Sequence, residues 1–284
     1  MGSDLAIFNT IGFEETKTSF YFSFSFLPKI KRDALKTVYV FCRTTDDIVD
    51  NEKDVSSKIE ILHKWRNELE HALNGTSNYP ILNQLNHVAK KFKIPVIHFY
   101  ELLKGVEMDL TKNRYQTFEE LKEYCYLVAS TVGLMSLGIF GPKNEKTKEY
   151  AINLGIALQL TNIIRDVGVD AKYGRIYIPQ EDLQRFSYSE AELISSRYTD
   201  SFRKLMEYQV NRAEEYFKLA QQSLPREDKR VMFAAKIMER IYFHTLQRIK
   251  QANYNVFDKK VSLPRILQFL IALKYWLKQK IFGL

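Results

Sequence analysis

Apolar residues recur every three to four positions over most of the chain, the period of helices that bury one face. Punctuation between these stretches is sparse and marks helix ends. Pro28 opens a predicted helix that runs to about Asp50. A second spans about Val55 through Trp65 and Leu69 to Leu73 and is stopped by Asn74-Gly75. Pro80 and Pro95 mark the next two starts. Thr117-Phe-Glu-Glu120 reads as a capping box ahead of a helix through Gly133. Another helix is predicted from about Lys146 to Tyr173, ended by Gly174, and two more over about 200–222 and 228–252. No series of strands with period-two alternation is found. The one alternating stretch is Phe20, Phe22, Phe24 and Phe26, interleaved with Tyr21, Ser23 and Ser25. It reads either as an extended segment laid over a bundle or as a core stripe.

Composition narrows the fold. Eleven glycines and seven prolines are too few for the many turns of a β-sandwich or barrel, and 45% apolar content is ample for a core. The expected fold class is all-α, a single-domain helical bundle of roughly ten helices over 1–284. Residues 1–15 form an N-terminal extension, and 261–284 form an amphipathic C-terminal helix. In that tail Ile266, Leu267, Leu270, Ile271, Leu277 and Ile281 share one side, flanked by Arg265, Lys274, Lys278 and Lys280. It suits peripheral contact with an anionic bilayer, or equally docking on the bundle.

Forty-two basic against 34 acidic residues give a net charge of +8, which suits nucleic acid, an anionic membrane or a polyanionic substrate. The positive charges are dispersed and form no basic recognition helix, so no nucleic acid partner is expected. Cys42 and Cys125 cannot build a disulfide scaffold, which points to a reducing, cytoplasmic setting. Residues 1–17 do not read as a signal peptide, and no apolar run approaches the ~20 residues of a spanning helix. The five histidines lie apart, without metal-ligand spacing.

Two acidic clusters carry the chemistry. Asp46 and Asp50 stand at i and i+4 near the end of the first long helix, on one face. Asn162, Asp166 and Asp170 stand at i, i+4 and i+8, within a stripe of about 80°. Gln159, Leu158 and Gly155 precede them on much the same side. Oxygen-only ligands suit a hard cation, Mg²⁺ above all, which prefers a few carboxylates plus phosphate oxygens and water. The plainer readings are a solvated helix end for the first cluster and a salt bridge to Arg165 or Arg175 for the second. Two such stripes facing across a cavity imply a polyphosphate between them, with Lys17, Arg43, Arg165 and Arg175 nearby. Neither a P-loop nor a dinucleotide fingerprint is present, so a diphosphate with an apolar organic part fits better.

The chain resembles the squalene/phytoene synthase family over residues 16–255. The resemblance is carried by Thr18-Ser-Phe-Tyr-Phe-Ser-Phe24, Tyr39-Val-Phe-Cys-Arg-Thr-Thr-Asp-Asp-Ile-Val-Asp50, Tyr124-Cys-Tyr-Leu-Val-Ala-Ser-Thr-Val-Gly133, the segment Gly155 to Asp170, and Gly174-Arg-Ile-Tyr-Ile-Pro179. It implies the isoprenoid-synthase bundle with a central cavity that holds two prenyl diphosphates. It implies Asp46 and Asp50 as Mg²⁺ ligands on one side and Asp166 and Asp170, assisted by Asn162, on the other. Lys17, Arg43 and Arg165 would hold diphosphate oxygens, with Ser19 and Tyr39 donating to them. Ser19 as a helix cap and Arg43 as a solvated helix end are the plainer readings. Tyr124, Tyr177 and Tyr242 would steady a cation or relay a proton, and otherwise read as core. Phe20, Val128, Ala129, Val132, Gly133, Gly155, Leu158 and Gln159 would line the prenyl cavity. Ser130 departs from the family's usual glycine and is expected to add a small bulge to a cavity-lining helix.

Within the family, Ser19 to Pro28, Trp65-Arg-Asn-Glu68, Met108 to Tyr115 and Arg197-Tyr-Thr-Asp200 resemble the bacterial branch that joins two farnesyl diphosphates into presqualene diphosphate. The expectation is therefore a Mg²⁺-dependent farnesyltransferase of squalene and hopanoid synthesis that needs no NADPH. The alternatives are dehydrosqualene, squalene or phytoene formation, and more distantly a non-catalytic scaffold of the same fold.

Overall fold

A computed structural model of the chain describes residues 23–50, 54–259 and 261–282. Among these, every regular element is helical, and the only β-type pairing is an isolated bridge between Arg114 and Ile176. The helices are α1 (Lys29–Asp50), α2 (Val55–Leu73), α3 (Pro80–Phe92), α4 (Ile97–Thr111), α5 (Phe118–Cys125), α6 (Thr131–Phe140) and α7 (Thr147–Lys172). They continue as α8 (Gln180–Arg185), α9 (Glu190–Ile194), α10 (Asp200–Ser223), α11 (Phe233–Gln251) and α12 (Arg265–Phe282). The short α8 and α9 bring the number above the ten or so expected, because they follow a turn-rich stretch without long periodicity.

Local chemistry sets the boundaries. Asp54 caps α2 by accepting from Ser57 N at 2.9 Å. Thr117 accepts from Glu120 N, but the Glu120 carboxylate accepts from Gln116 N at 3.0 Å. The expected capping box therefore closes one residue early. Gly174 takes φ +79°, the left-handed region open to glycine, and turns the chain out of α7.

The helix begun at Phe118 does not stop near Gly133. It passes through a π-helical turn, Tyr126–Ser130, where Thr131 N–H reaches back to Tyr126 C=O, and continues as α6 to Phe140. The whole stretch, Phe118–Phe140, is long and apolar enough to cross a membrane, but 56% of its most apolar window is buried inside the bundle. Its apolarity serves the core.

The 26-residue α7 runs through the centre, packed by α10, α11, α6 and the π turn, while α1 packs against α3, α4 and α6. The closest approach is at Gly155, where a Cβ would stand 2.5 Å from Ser130 Cα. Ser130 itself is fully buried and its hydroxyl donates to Ile152 C=O at 2.7 Å. The expected bulge into the cavity is thus not formed, because the serine faces α7 instead.

The aromatic alternation near the start also resolves differently from an extended segment. Residues 23–24 are helical and 25–26 form a turn. Phe24 is buried, and the ring of Phe26 lies 5.4 Å from that of Trp276 on α12. Lys17, Ser19, Phe20 and Phe22 lie outside the described residues.

Candidate active site

A cavity of about 860 Å³ opens between α1, the π turn with α6, α7 and α11. Helical spacing builds its walls. Down α7, Asn162, Gln159, Leu158, Gly155, Leu154, Ala151 and Tyr150 all line it. Asn162 to Tyr150 spans about 18 Å at 1.5 Å per residue. Asp46, Arg43 and Tyr39 face it from α1, and Val128, Ala129, Val132 and Gly133 from the opposite wall. Tyr242, Met238 and Ala235 descend α11, and Ser262 to Arg265 with Gln268 close one flank. The cavity is therefore polar at the Asp46–Asn162–Arg165 end and apolar below it.

Asp50, Asp166 and Asp170 do not line the cavity itself. They continue its polar end, Asp50 one turn beyond Asp46 and the other two one and two turns beyond Asn162. Burial, reinforced by Asp50, pushes the Asp46 carboxyl up to about 8. Burial and the Asp166 charge push Asp170 up to about 7. Arg175 Nη1 donates to Asp50 at 3.2 Å, so it joins the end of α1 to the turn after α7. Arg165 forms a two-point ion pair with Asp166, and Arg43 pairs with Asp47 at 2.7 Å. The salt-bridge reading of the second cluster thus holds for Asp166.

Tyr124 and Tyr177 stand outside the cavity lining. Both donate to one carboxylate, Asp109 on α4, at 2.9 and 2.8 Å. The three rings Tyr115, Tyr124 and Tyr177 pack together over it. Asp109 is raised by burial, and its charge in turn raises both Asp46 and Asp170. It is thus the group between the two acidic stripes, and no spacing rule marked it. Its only trace in the sequence is membership of the Met108–Tyr115 stretch.

The donor set fits a divalent cation. Asn162 Oδ1 is buried with no hydrogen-bond partner among the described residues. Burial first, then repulsion from Asp50 for Asp46 and from Asp166 for Asp170, holds both carboxyls well above the usual carboxylate range. Among the described residues no three acids, histidines or cysteines converge into a ready cage. Such an arrangement suits a cation that takes phosphate oxygens as its remaining ligands.

The squalene/phytoene synthase family profile matches residues 13–266. The phytoene synthase of Arthrospira platensis is 38% identical over 259 residues, covering 87% of this chain and 84% of that one. The 15-cis-phytoene synthase of Synechococcus elongatus is 37% identical, with 87% and 84% covered. A solved dehydrosqualene synthase superposes with a TM-score of 0.84 at 30% identity, covering 98% of this chain and 97% of the other. These relatives correct the expectation of presqualene diphosphate synthesis and of a squalene or hopanoid role, since the curated proteins at 35 to 38% identity are phytoene synthases. Of the motifs behind that expectation, Trp65–Glu68, Met108–Tyr115 and Arg197–Asp200 do not line the cavity, so they do not report on the size of the substrate it holds. The residues matched, the helical architecture and the acid-rimmed cavity agree on one conclusion: the chain belongs to the squalene/phytoene synthase family.

Proposed function

We propose that this protein forms phytoene, joining two geranylgeranyl diphosphates head to head in the cavity between α1 and α7. The observation that carries this reading is the likeness to phytoene synthases over 87% of the chain, combined with an apolar cavity that extends below the acids. Two twenty-carbon allylic diphosphates lose two diphosphates and two protons. The forty-carbon product keeps a conjugated triene, so the atoms balance without a hydride donor.

Asp46 and Asp50 on α1, and Asn162, Asp166 and Asp170 on α7, would hold Mg²⁺ against the diphosphates. The cation supplies Lewis-acid neutralisation of the leaving group. Arg43 and Arg165 line the cavity and donate to diphosphate oxygens. Donation to phosphate would loosen Arg165 from Asp166 and leave that carboxylate free to help hold the cation. Burial raises the Tyr242 phenol, so it stays protonated beside Asn162 and donates a hydrogen bond to the departing oxygen. The ring of Tyr39, one turn before Arg43 on α1, lines the cavity near its polar end and would steady the allylic cation. Val128, Ala129, Val132, Gly133, Gly155 and Leu158 exclude water that would otherwise capture it.

The test is incubation of the purified protein with Mg²⁺ and either geranylgeranyl or farnesyl diphosphate. The expected result is a forty-carbon hydrocarbon with triene absorption, formed in preference from the longer substrate and unchanged by NADPH. Preferential formation of a thirty-carbon product would overturn the reading.

A further inference from the structure

A second concavity, of about 490 Å³, lies between α11 and α12, away from the acids. Its walls carry Lys229, Lys236, Arg240, His244, Lys274 and Lys278, over a floor of Phe233, Ile271 and Tyr275. No carboxylate lines it. The four lysines make no ion pair among the described residues. The site is organised by Tyr275, whose hydroxyl accepts from Arg240 Nε at 2.8 Å and whose ring lies 5.8 Å from the Lys236 ammonium. Burial lowers Lys236; Glu239, which does not line the concavity, offsets part of that, and the charges of Lys229, Arg240 and Lys278 lower it further.

The same helix presents apolar surface to solvent. α12 turns Ala272, fully buried, toward the bundle and leaves Ile266 69%, Leu270 49% and Leu277 43% exposed. At 100° per residue these three lie within about 40° of one another, so they form a single ridge. Lys274 and Lys278 fall on its flank, between the ridge and the basic concavity. A helix docked only to complete a core would carry polar residues on its outer face. An apolar ridge beside a basic concavity matches the interface of an anionic bilayer, where acyl chains lie beside phosphate headgroups.

We propose that α12 and the α11–α12 concavity form a docking face for an anionic membrane. Ile266, Leu270 and Leu277 enter the interfacial layer, and the six basic side chains take the phosphates of lipid headgroups. Leu263, Pro264 and Arg265, which precede the ridge, line the main cavity, so the docked face adjoins the chamber. Docking does not depend on which hydrocarbon the chamber makes.

The experiment is co-sedimentation of the full chain with vesicles of phosphatidylcholine alone or mixed with phosphatidylglycerol. The chain should partition onto the mixed vesicles and scarcely onto the neutral ones. Each lysine near such a surface contributes about fivefold to partitioning. The double variant Lys236→Gln, Lys274→Gln should therefore bind mixed vesicles about 25-fold less at unchanged melting temperature. The variant Leu270→Gln, Leu277→Gln should lose binding while keeping the fold, since both side chains are exposed. Equal binding to the two vesicle types, or wild-type binding by either variant, overturns the proposal. So does binding of inorganic diphosphate at the concavity without any vesicle binding, which would make it a site for soluble anions.

Discussion

Tyr177 Oη donates to Asp109 Oδ1 at 2.8 Å, and the other oxygen of the same carboxylate accepts from Tyr124 at 2.9 Å. One acid on α4 thereby fixes a tyrosine from α5 and another from the turn after α7, while its charge acts on Asp46 and Asp170. Asp109→Asn should lower kcat/KM by about ten- to a hundredfold, through loosened phenols and a weaker cation site. The mutation also removes a charge that raises Asp46, so Asp46 should ionise at lower pH. The acid limb of the pH–rate profile should therefore move down in pH. A loss of activity with an unmoved limb would reduce Asp109 to a packing role.

A second prediction concerns protons and metal. Asp46 is pushed up to about 8 and Asp170 to about 7, against about 3.9 for a free aspartate. Between pH 4 and 8 the folded, metal-free chain therefore holds protons that the unfolded chain has released. Stability in EDTA should fall as pH rises through that window. Magnesium should reverse the trend, since binding expels those protons and tightens by up to about tenfold per pH unit for each one. Melting temperatures at pH 5 and pH 8, with EDTA or Mg²⁺, check this. Asp46→Asn should flatten both dependences.

The packing at Gly155 gives a third. A Cβ there would meet Ser130 Cα at 2.5 Å and Ser130 N at 2.6 Å, backbone atoms that cannot swing aside. Gly155→Ala should cost about 1–3 kcal/mol by overpacking, seen as a melting point lower by roughly 2–6 °C. Adding Ser130→Gly removes the hydroxyl at 2.8 Å but not the backbone contact, so it should restore little.

What the sequence made legible follows the reach of helical periodicity. Asp46 and Asp50, and the run from Gly155 to Asp170, could be placed on faces because every spacing lies within one helix. The cavity wall down α7 follows from the same arithmetic. Asp109 escaped it because no acid stands three or four residues from it on its helix, and its partners lie 15 and 68 residues away. The π turn has no residue signature, and it is what sets Ser130 against α7 rather than into the cavity. The product branch is illegible for a related reason. Most of the motifs that resemble the farnesyl branch lie away from the cavity, whereas chain length would depend on side chains at its apolar end.

That last point is testable at Ala235. It lines the cavity on α11, about 10 Å below Tyr242 at helical rise and so at the apolar end, next to Met232 and Met238. It is half-buried, so a larger side chain there projects into the chamber rather than into packed core. Ala235→Phe should shorten the space for a prenyl tail and leave the acids and arginines untouched. Each methylene that a hydrophobic pocket rejects is worth about 1–3 kcal/mol. The ratio of kcat/KM for geranylgeranyl over farnesyl diphosphate should thus fall at least tenfold, with a shift toward thirty-carbon product in mixed-substrate reactions. Mg²⁺ dependence should be unchanged, because the polar end is two turns away. If activity falls equally with both substrates, Ala235 does not bound the tail, and the determinant lies on the opposite wall near Val132 and Ser136, which face the same chamber.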